Sequence, residues 1–205
     1  GSAPILTGVL DWALHRRFPG GRWVLATLVA TVGVVLISGL LGAGAGAGGP
    51  ASATISLPGL LASLGAGASY AVYTLASKTL LDRGWSAGSA MGAVFGIAAV
   101  LSLPVLLAGD IRWLGTADGL AMALWLGVGT TTVAYLLFGW GLARLRAATV
   151  STLTLGEPLT ATVLGTLLLG EVLPPVAVAG LVVLAAGLAL LTLPGSWGRP
   201  RSAAA

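Results

Sequence analysis

The chain has 205 residues, 57% hydrophobic and only 8% charged, with 10 Lys and Arg against 6 Asp and Glu. A charged fraction far below the roughly 25% of soluble domains, with a mean hydropathy of +1.00, excludes one aqueous core and points to a membrane. The absence of cysteine and the single histidine, His15, exclude a disulfide framework, a thiolate metal site and a histidine-rich metal cluster.

In chain order, one short and six full hydrophobic segments are expected: 1–14, 23–41, 57–80, 89–107, 119–142, 147–170 and 176–193. The full ones hold about 18 to 24 residues, enough to cross a hydrocarbon core of roughly 30 Å as helices. The first rises only about 21 Å, and no Met precedes it. It therefore reads as part of a longer chain rather than as a signal peptide, because it lacks a basic leader and carries Asp11 in its apolar run. The breaks HRRFPGGR, GAGAGAGGPASAT, DRGWSAG, AGDIRWLGTAD, ARLR and EVLPP supply the Gly, Pro and charge that turns need. Gly44, Gly46 and Gly49 spell G-x-G-x-x-G in the second break, but no strand or ribose-binding acid accompanies them, so 42–56 reads as a flexible linker.

The basic residues orient the segments. Alternation from a cytoplasmic HRRFPGGR loop puts Arg16, Arg17, Arg22, Lys78, Arg83, Arg144, Arg146, Arg199 and Arg201 inside and Arg112 alone outside. Such scattered charges fit membrane topology rather than nucleic acid. Trp12, Trp23, Trp85, Trp113, Trp140 and Trp197 fall at segment ends, where amphipathic rings prefer the headgroups, and Trp125 lies inside a segment. Asp11 is expected to pair or snorkel at the cytoplasmic edge.

Within the segments, polar residues mark candidate sites. Ser63, Gly67, Tyr70, Thr74 and Ser77 recur at helical spacing as one stripe, a pattern that more often joins helices than lines a path. Gly88, Gly92 and Gly96 form a double small-xxx-small pattern, expected to admit a neighbouring backbone. Trp125, Thr132 and Tyr135 are able to stack on or hydrogen-bond a solute. In the sixth segment Glu157 and Pro158 interrupt an apolar run about 15 Å along the helix from Ala147, close to the bilayer midplane. A carboxylate there costs on the order of 2.5 to 3.5 kcal/mol and should face water or the bundle interior. Pro158 lacks an N–H and clashes with the carbonyl of Thr154, so a kink is expected beside the acid. Glu157 can then carry a proton or fix a cationic or hydroxyl-bearing solute; the alternative is a packing residue beside a hinge.

A repeat links the two ends of the chain. Ala3 to Leu36 aligns without a gap on Glu157 to Leu190, matching Pro4 with Pro158, Leu14 with Leu168 and Gly33 with Gly187. The copies begin at the first and sixth segments, an odd number of crossings apart, so they traverse the bilayer in opposite directions, as in transporters built from inverted repeats.

These features, and above all LTLGEPLTATVLGTLLLGEVLPPVAVAGLVVLAAGLALL, YLLFGWGLARLRAATVST and APILTGVLDWALHRRFPGGRW, resemble the EamA-type transporters of the drug/metabolite transporter superfamily. The resemblance implies an all-α, polytopic transmembrane helix bundle of ten helices in two inverted five-helix repeats. About seven of them, helices four to ten, correspond to this sequence. Residues 1–41 would be the last two helices of the first repeat, 57–193 the second repeat and 194–205 a cytoplasmic tail. The first repeat departs from the second in carrying Ala3 and Arg17 where Glu157 and Glu171 stand. The implied activity is export or exchange of small metabolites, amino acids or drugs, by alternating access around a midplane cavity and with proton coupling as an option.

The expected solute-binding residues are Glu157, Tyr70, Tyr73, Trp125, Tyr135 and Thr154, with Pro158 and its repeat partner Pro4 as helix kinks. No cofactor, metal or enzymatic chemistry is expected, since no Ser/His/Asp or Cys/His set is available. The expected partners are a small-molecule solute and the lipid bilayer, without nucleic acid. The Ala, Gly and Arg bias points to a bacterial cytoplasmic membrane. A non-transporting structural or regulatory membrane protein and a lipid-directed membrane enzyme are the other readings; the latter lacks a polar cluster. The 205-residue chain alone is expected to be inactive and the longer parent to transport, so robust solute flux by the purified chain alone would contradict the reading.

Overall fold

The computed structural model describes residues 2–16, 18–38 and 57–193. The expected 42–56 linker and 194–205 tail, and Arg17, lie outside the described residues. Nine α-helices are found among those described: α1 Ala3–His15, α2 Gly21–Ile37, α3 Leu57–Asp82, α4 Ala87–Ala108, α5 Ala117–Leu124, α6 Val133–Arg144, α7 Ala147–Leu153, α8 Gly156–Leu169 and α9 Pro175–Thr192. A π-helical stretch, Trp125–Thr132, joins α5 to α6 without a break, and no strand is present among the described residues.

Five spans are long and apolar enough to cross a bilayer, 57–82, 87–108, 117–144, 147–169 and 175–192. The expected 23–41 crossing begins earlier, as α2 from Gly21, and is helical for 17 residues to Ile37; residues 39–41 lie outside the described set. The 147–170 segment, expected as one helix, is two. It turns at Thr154 and Leu155, and Gly170 ends α8 in a left-handed conformation at φ 67°, where the missing Cβ removes the usual steric cost.

The bundle is organised around α2 and α9. They run antiparallel, Ile37 facing Gly180, Gly33 facing Leu184 and Ala30 facing Gly187. A Cβ on Gly33 would fall 2.5 Å from the backbone N of Leu184, and one on Gly187 would fall 2.6 Å from that of Ala30. Helices in lipid gain nothing from hiding apolar surface from one another, so contact at backbone distance is what holds such a pair, and only glycine permits it.

The same pair carries the repeat. The shift that takes Ala3 to Glu157 takes α1 onto 157–169 and α2 onto 175–191, within one residue of α8 and α9. It also takes the Gly33–Leu184 contact onto Gly187–Ala30. The α2·α9 interface is therefore self-complementary about a local two-fold axis, as antiparallel copies of one unit require.

Hydroxyl groups stitch the first two helices to α7. Thr27 and Thr152 share a hydrogen bond of 2.9 Å, and the hydroxyl of Ser151 donates to that of Thr7 at 3.1 Å, all four side chains being buried. Trp23 Nε1 donates to Ala148 O and Thr152 Oγ1, each at 3.0 Å. Every residue of α7 from Ala147 to Thr152 is buried, whereas α8 has no buried residue.

Basic side chains close one end. Arg22 Nε donates to Leu190 O at 2.7 Å, tying the start of α2 to the end of α9. Lys78 Nζ donates to Leu142 O at 3.1 Å and pairs with Asp82 at 3.0 Å. Asp11 pairs with His15 at 2.8 Å, in keeping with its expected place at this edge. A core of Leu75, Leu81, Ala90, Met91, Leu142, Ala147 and Val150 fills the same half of the bundle.

Two sequence expectations change. Gly88 meets only the Cδ2 of Leu136 at 3.9 Å, and Gly92 and Gly96 meet nothing within 4 Å, so this pattern brings no backbone close among the described residues. Pro4 kinks nothing; it sits in the first turn of α1, where a missing N–H costs no helical bond. The α3 stripe joins helices as expected of most such stripes: Gly67, Thr74 and Ser77 are buried, and a Cβ on Gly67 would press on Ser2 and Leu6 of α1.

Gly33→Ala and Gly187→Ala should each destabilise the detergent-solubilised protein by about 1 to 3 kcal/mol, the usual effect of overpacking. Gly92→Ala should leave the melting temperature unchanged or raised. Equal melting curves for all three variants would refute this account of the α2·α9 contact.

Candidate functional site

The break between α7 and α8 builds the site. Pro158 has no N–H to offer Thr154 O, so the helix tightens and Glu157 N donates to Thr154 O instead, at 3.0 Å. The carbonyl expected to be orphaned is therefore satisfied. Two residues earlier Leu155 N donates to Thr152 O at 3.1 Å, completing the tight turn. Glu157 is left in the first turn of α8, where the partial positive charge of a helix start favours a carboxylate.

Glu157 opens onto a cavity of about 420 Å³ lined by Tyr70, Thr130, Thr131, Ala134, Tyr135, Phe138 and Thr154. Four of the six expected solute residues, Glu157, Tyr70, Tyr135 and Thr154, thus share one cavity. Tyr70 OH donates to Thr154 Oγ1 at 3.4 Å, and Thr154 Oγ1 donates in turn to Ser151 O at 2.8 Å. No hydrogen bond or ion pair engages the Glu157 carboxylate among the described residues.

Tyr73 stands beside this wall. Its ring lies 5.8 Å from Tyr70, 6.1 Å from Phe95, 6.1 Å from Tyr135 and 5.9 Å from Phe138, and Phe95 and Tyr135 are 4.4 Å apart. Its hydroxyl donates to Met91 Sδ at 3.7 Å, so the aromatic layer is anchored in the core of the basic half. Trp125 does not join the site; it is 69% exposed and absent from the lining.

The π-helical stretch supplies residues that helical spacing did not single out. Thr130 and Thr131 line the cavity, whereas Thr132, named from the sequence as able to hydrogen-bond a solute, donates to Gly127 O five residues back at 2.7 Å. That five-residue reach matches the wider π turn, which appears frequently at functional sites. The only sequence signal was WLGVGTTT itself, two glycines ahead of three threonines, and an α-helical wheel misplaces it.

Residues 57–193 match the EamA-like transporter family. The chain is 37% identical over 192 residues to an uncharacterized transporter, YwfM, of Bacillus subtilis, covering 94% of this chain and 62% of that protein. It is 34% identical over 124 residues to the threonine/homoserine exporter RhtA of Escherichia coli K12, covering 60% of this chain and 41% of that one. An uncharacterized transporter of Clostridium kluyveri is 29% identical over 168 residues, covering 82% and 53%. The chain therefore spans about six-tenths or less of the length of these relatives. No solved structure matches it.

Thr152 is the most heavily used buried hydroxyl, bonded to Trp23, Thr27 and Ala148. Thr152→Val should cost about 1 to 3 kcal/mol, because its partners stay buried and lose a bond. Thermal unfolding in detergent measures this; an unchanged melting temperature would show that the hydroxyl seam does not stabilise the bundle.

Proposed function

The chain belongs to the EamA-like transporter family, and from that membership we propose that it is the solute-binding portion of a secondary exporter of small metabolites, amino acids or drugs. The chain is a multi-pass membrane protein whose family and relatives are transporters rather than enzymes. In the proposed arrangement, residues 1–41 end the first repeat, 57–193 form the second, 42–56 link them and 194–205 trail into the cytoplasm of a bacterial cell.

The observation that carries the proposal is the cavity at the α7–α8 break, where the Glu157 carboxylate, bonded to no described residue, stands beside Tyr70, Tyr135 and Thr154. A charged group near the bilayer midplane marks a solute or ion pathway when it faces a cavity rather than a packing partner. The aromatic layer of Tyr73, Phe95, Tyr135 and Phe138 lies between this cavity and the packed, basic half of the bundle. In an alternating-access cycle that layer is the cytoplasmic barrier. The hydroxyl-anchored α7 stays fixed while α8, with no buried side chain, swings about the Thr154–Leu155 turn. Glu157 exchanges a proton for solute in this scheme, which accounts for a carboxylate at a position where lipid would disfavour it.

Solute flux into proteoliposomes tests the proposal with the full-length protein, with and without a proton gradient. Glu157→Gln should abolish the response to the gradient and lower flux by about tenfold or more, the scale of a lost charge-assisted hydrogen bond. Trp125→Ala should transport at the unaltered rate. Equal flux by the unaltered protein and Glu157→Gln would make the carboxylate structural and the protein a facilitator. Absence of saturable flux for amino acids, nucleobases and cationic drugs alike would defeat the exporter reading.

A further inference from the structure

We infer that the recognised end of the solute is a primary ammonium group, bound at Glu157 with an apolar body against the neighbouring rings. The inference rests on reading this cavity as the solute site. It comes from which hydrogen-bonding groups in the cavity wall are already committed.

A threonine hydroxyl has one proton to donate and two lone pairs to accept with. Thr130 gives its proton to Leu126 O at 2.7 Å, and Thr154 gives its proton to Ser151 O at 2.8 Å. Tyr70 gives its proton to Thr154. Three of the five hydroxyl groups lining the cavity therefore present acceptors, those of Thr131 and Tyr135 donating to nothing among the described residues, and the Glu157 carboxylate adds a further acceptor that is negative when ionised. An alkylammonium group is the complement: three donors, no acceptor and one positive charge.

The rest of the wall agrees. Tyr70, Tyr135 and Phe138 bring aromatic rings, the last two with centroids 5.9 Å apart, and Ala134 adds apolar surface. Ring faces are negative and attract cations, more strongly when water is excluded. A solute whose only charge is a carboxylate meets the same wall as repulsion from Glu157. A neutral alcohol of the same shape keeps the ring contacts but offers one donor in place of three.

The test measures binding directly, so its outcome does not depend on whether transport occurs. Equilibrium binding of 2-phenylethylamine, 2-phenylethanol and phenylacetate to the full-length protein in liposomes compares one apolar body bearing an ammonium, a hydroxyl or a carboxylate. The amine should bind at least about tenfold more tightly than either analogue, the size expected for one charge-assisted contact. Glu157→Gln should erase that preference, and Glu157→Asp, which keeps the charge, should retain part of it. Phenylacetate or 2-phenylethanol binding as tightly as the amine would overturn the inference, as would an undiminished preference in folded Glu157→Gln or no amine binding at all. Amine binding without flux of any solute would uphold the ammonium site while defeating the exporter reading.

Discussion

The backbone approach of α2 to α9 is the constraint on which the rest of the bundle depends. In water a helix pair can be held by whatever apolar surface it hides, but in lipid the tails are as apolar as the side chains, and only packing and hydrogen bonds distinguish one arrangement from another. Glycines at 33, 180 and 187 let the two backbones touch. From that contact the buried hydroxyls of Thr27 and Thr152 reach α7, and Thr7 and Ser151 draw in α1. The start of the site is therefore held in place, through α7, by residues that do not line the cavity.

The two halves of the 147–169 span have opposite characters, and the acid sits at their junction. Buried hydroxyl bonds immobilise α7, whereas α8 presents Val163, Leu164, Leu167 and Leu168 outward. Pro158 enforces the division by removing one donor, and the chain recovers the lost bond one residue earlier rather than leaving a carbonyl bare. A single ring closure in the sequence thus sets both a turn and the placement of a charge.

Much of this was legible in the sequence, because membrane spans obey blunt rules. Length and hydropathy located the segments, and the offset that matches Ala3–Leu36 with Glu157–Leu190 carries the helix bounds of one copy onto those of the other to within a residue. Four residues that line the cavity could be named because a carboxylate, two tyrosines and a threonine stand out against aliphatic surroundings. The failures share one cause: a pattern shows which face a helix offers, not what meets it. Gly92 and Gly96 offer the same small face as Gly33 and Gly187, yet nothing sits against them. Trp125 and Thr132 were named for side chains able to stack on or hydrogen-bond a solute, in a stretch whose π winding decides which of them turns to the cavity.

That stretch also limits how the chain can vary. A π-turn holds one residue more than the α-turn it replaces, so the register of everything beyond it depends on keeping that wide winding. Relaxing Trp125–Thr132 to ordinary winding with every residue kept would rotate its two ends relative to each other by about 100°. Either Thr130 and Thr131 would then leave the cavity or Tyr135 and Phe138 would leave their ring layer, with no change in composition and little in hydropathy. The winding of this segment is consequently a determinant of the cavity wall in its own right, one that a comparison of residue types alone would pass over.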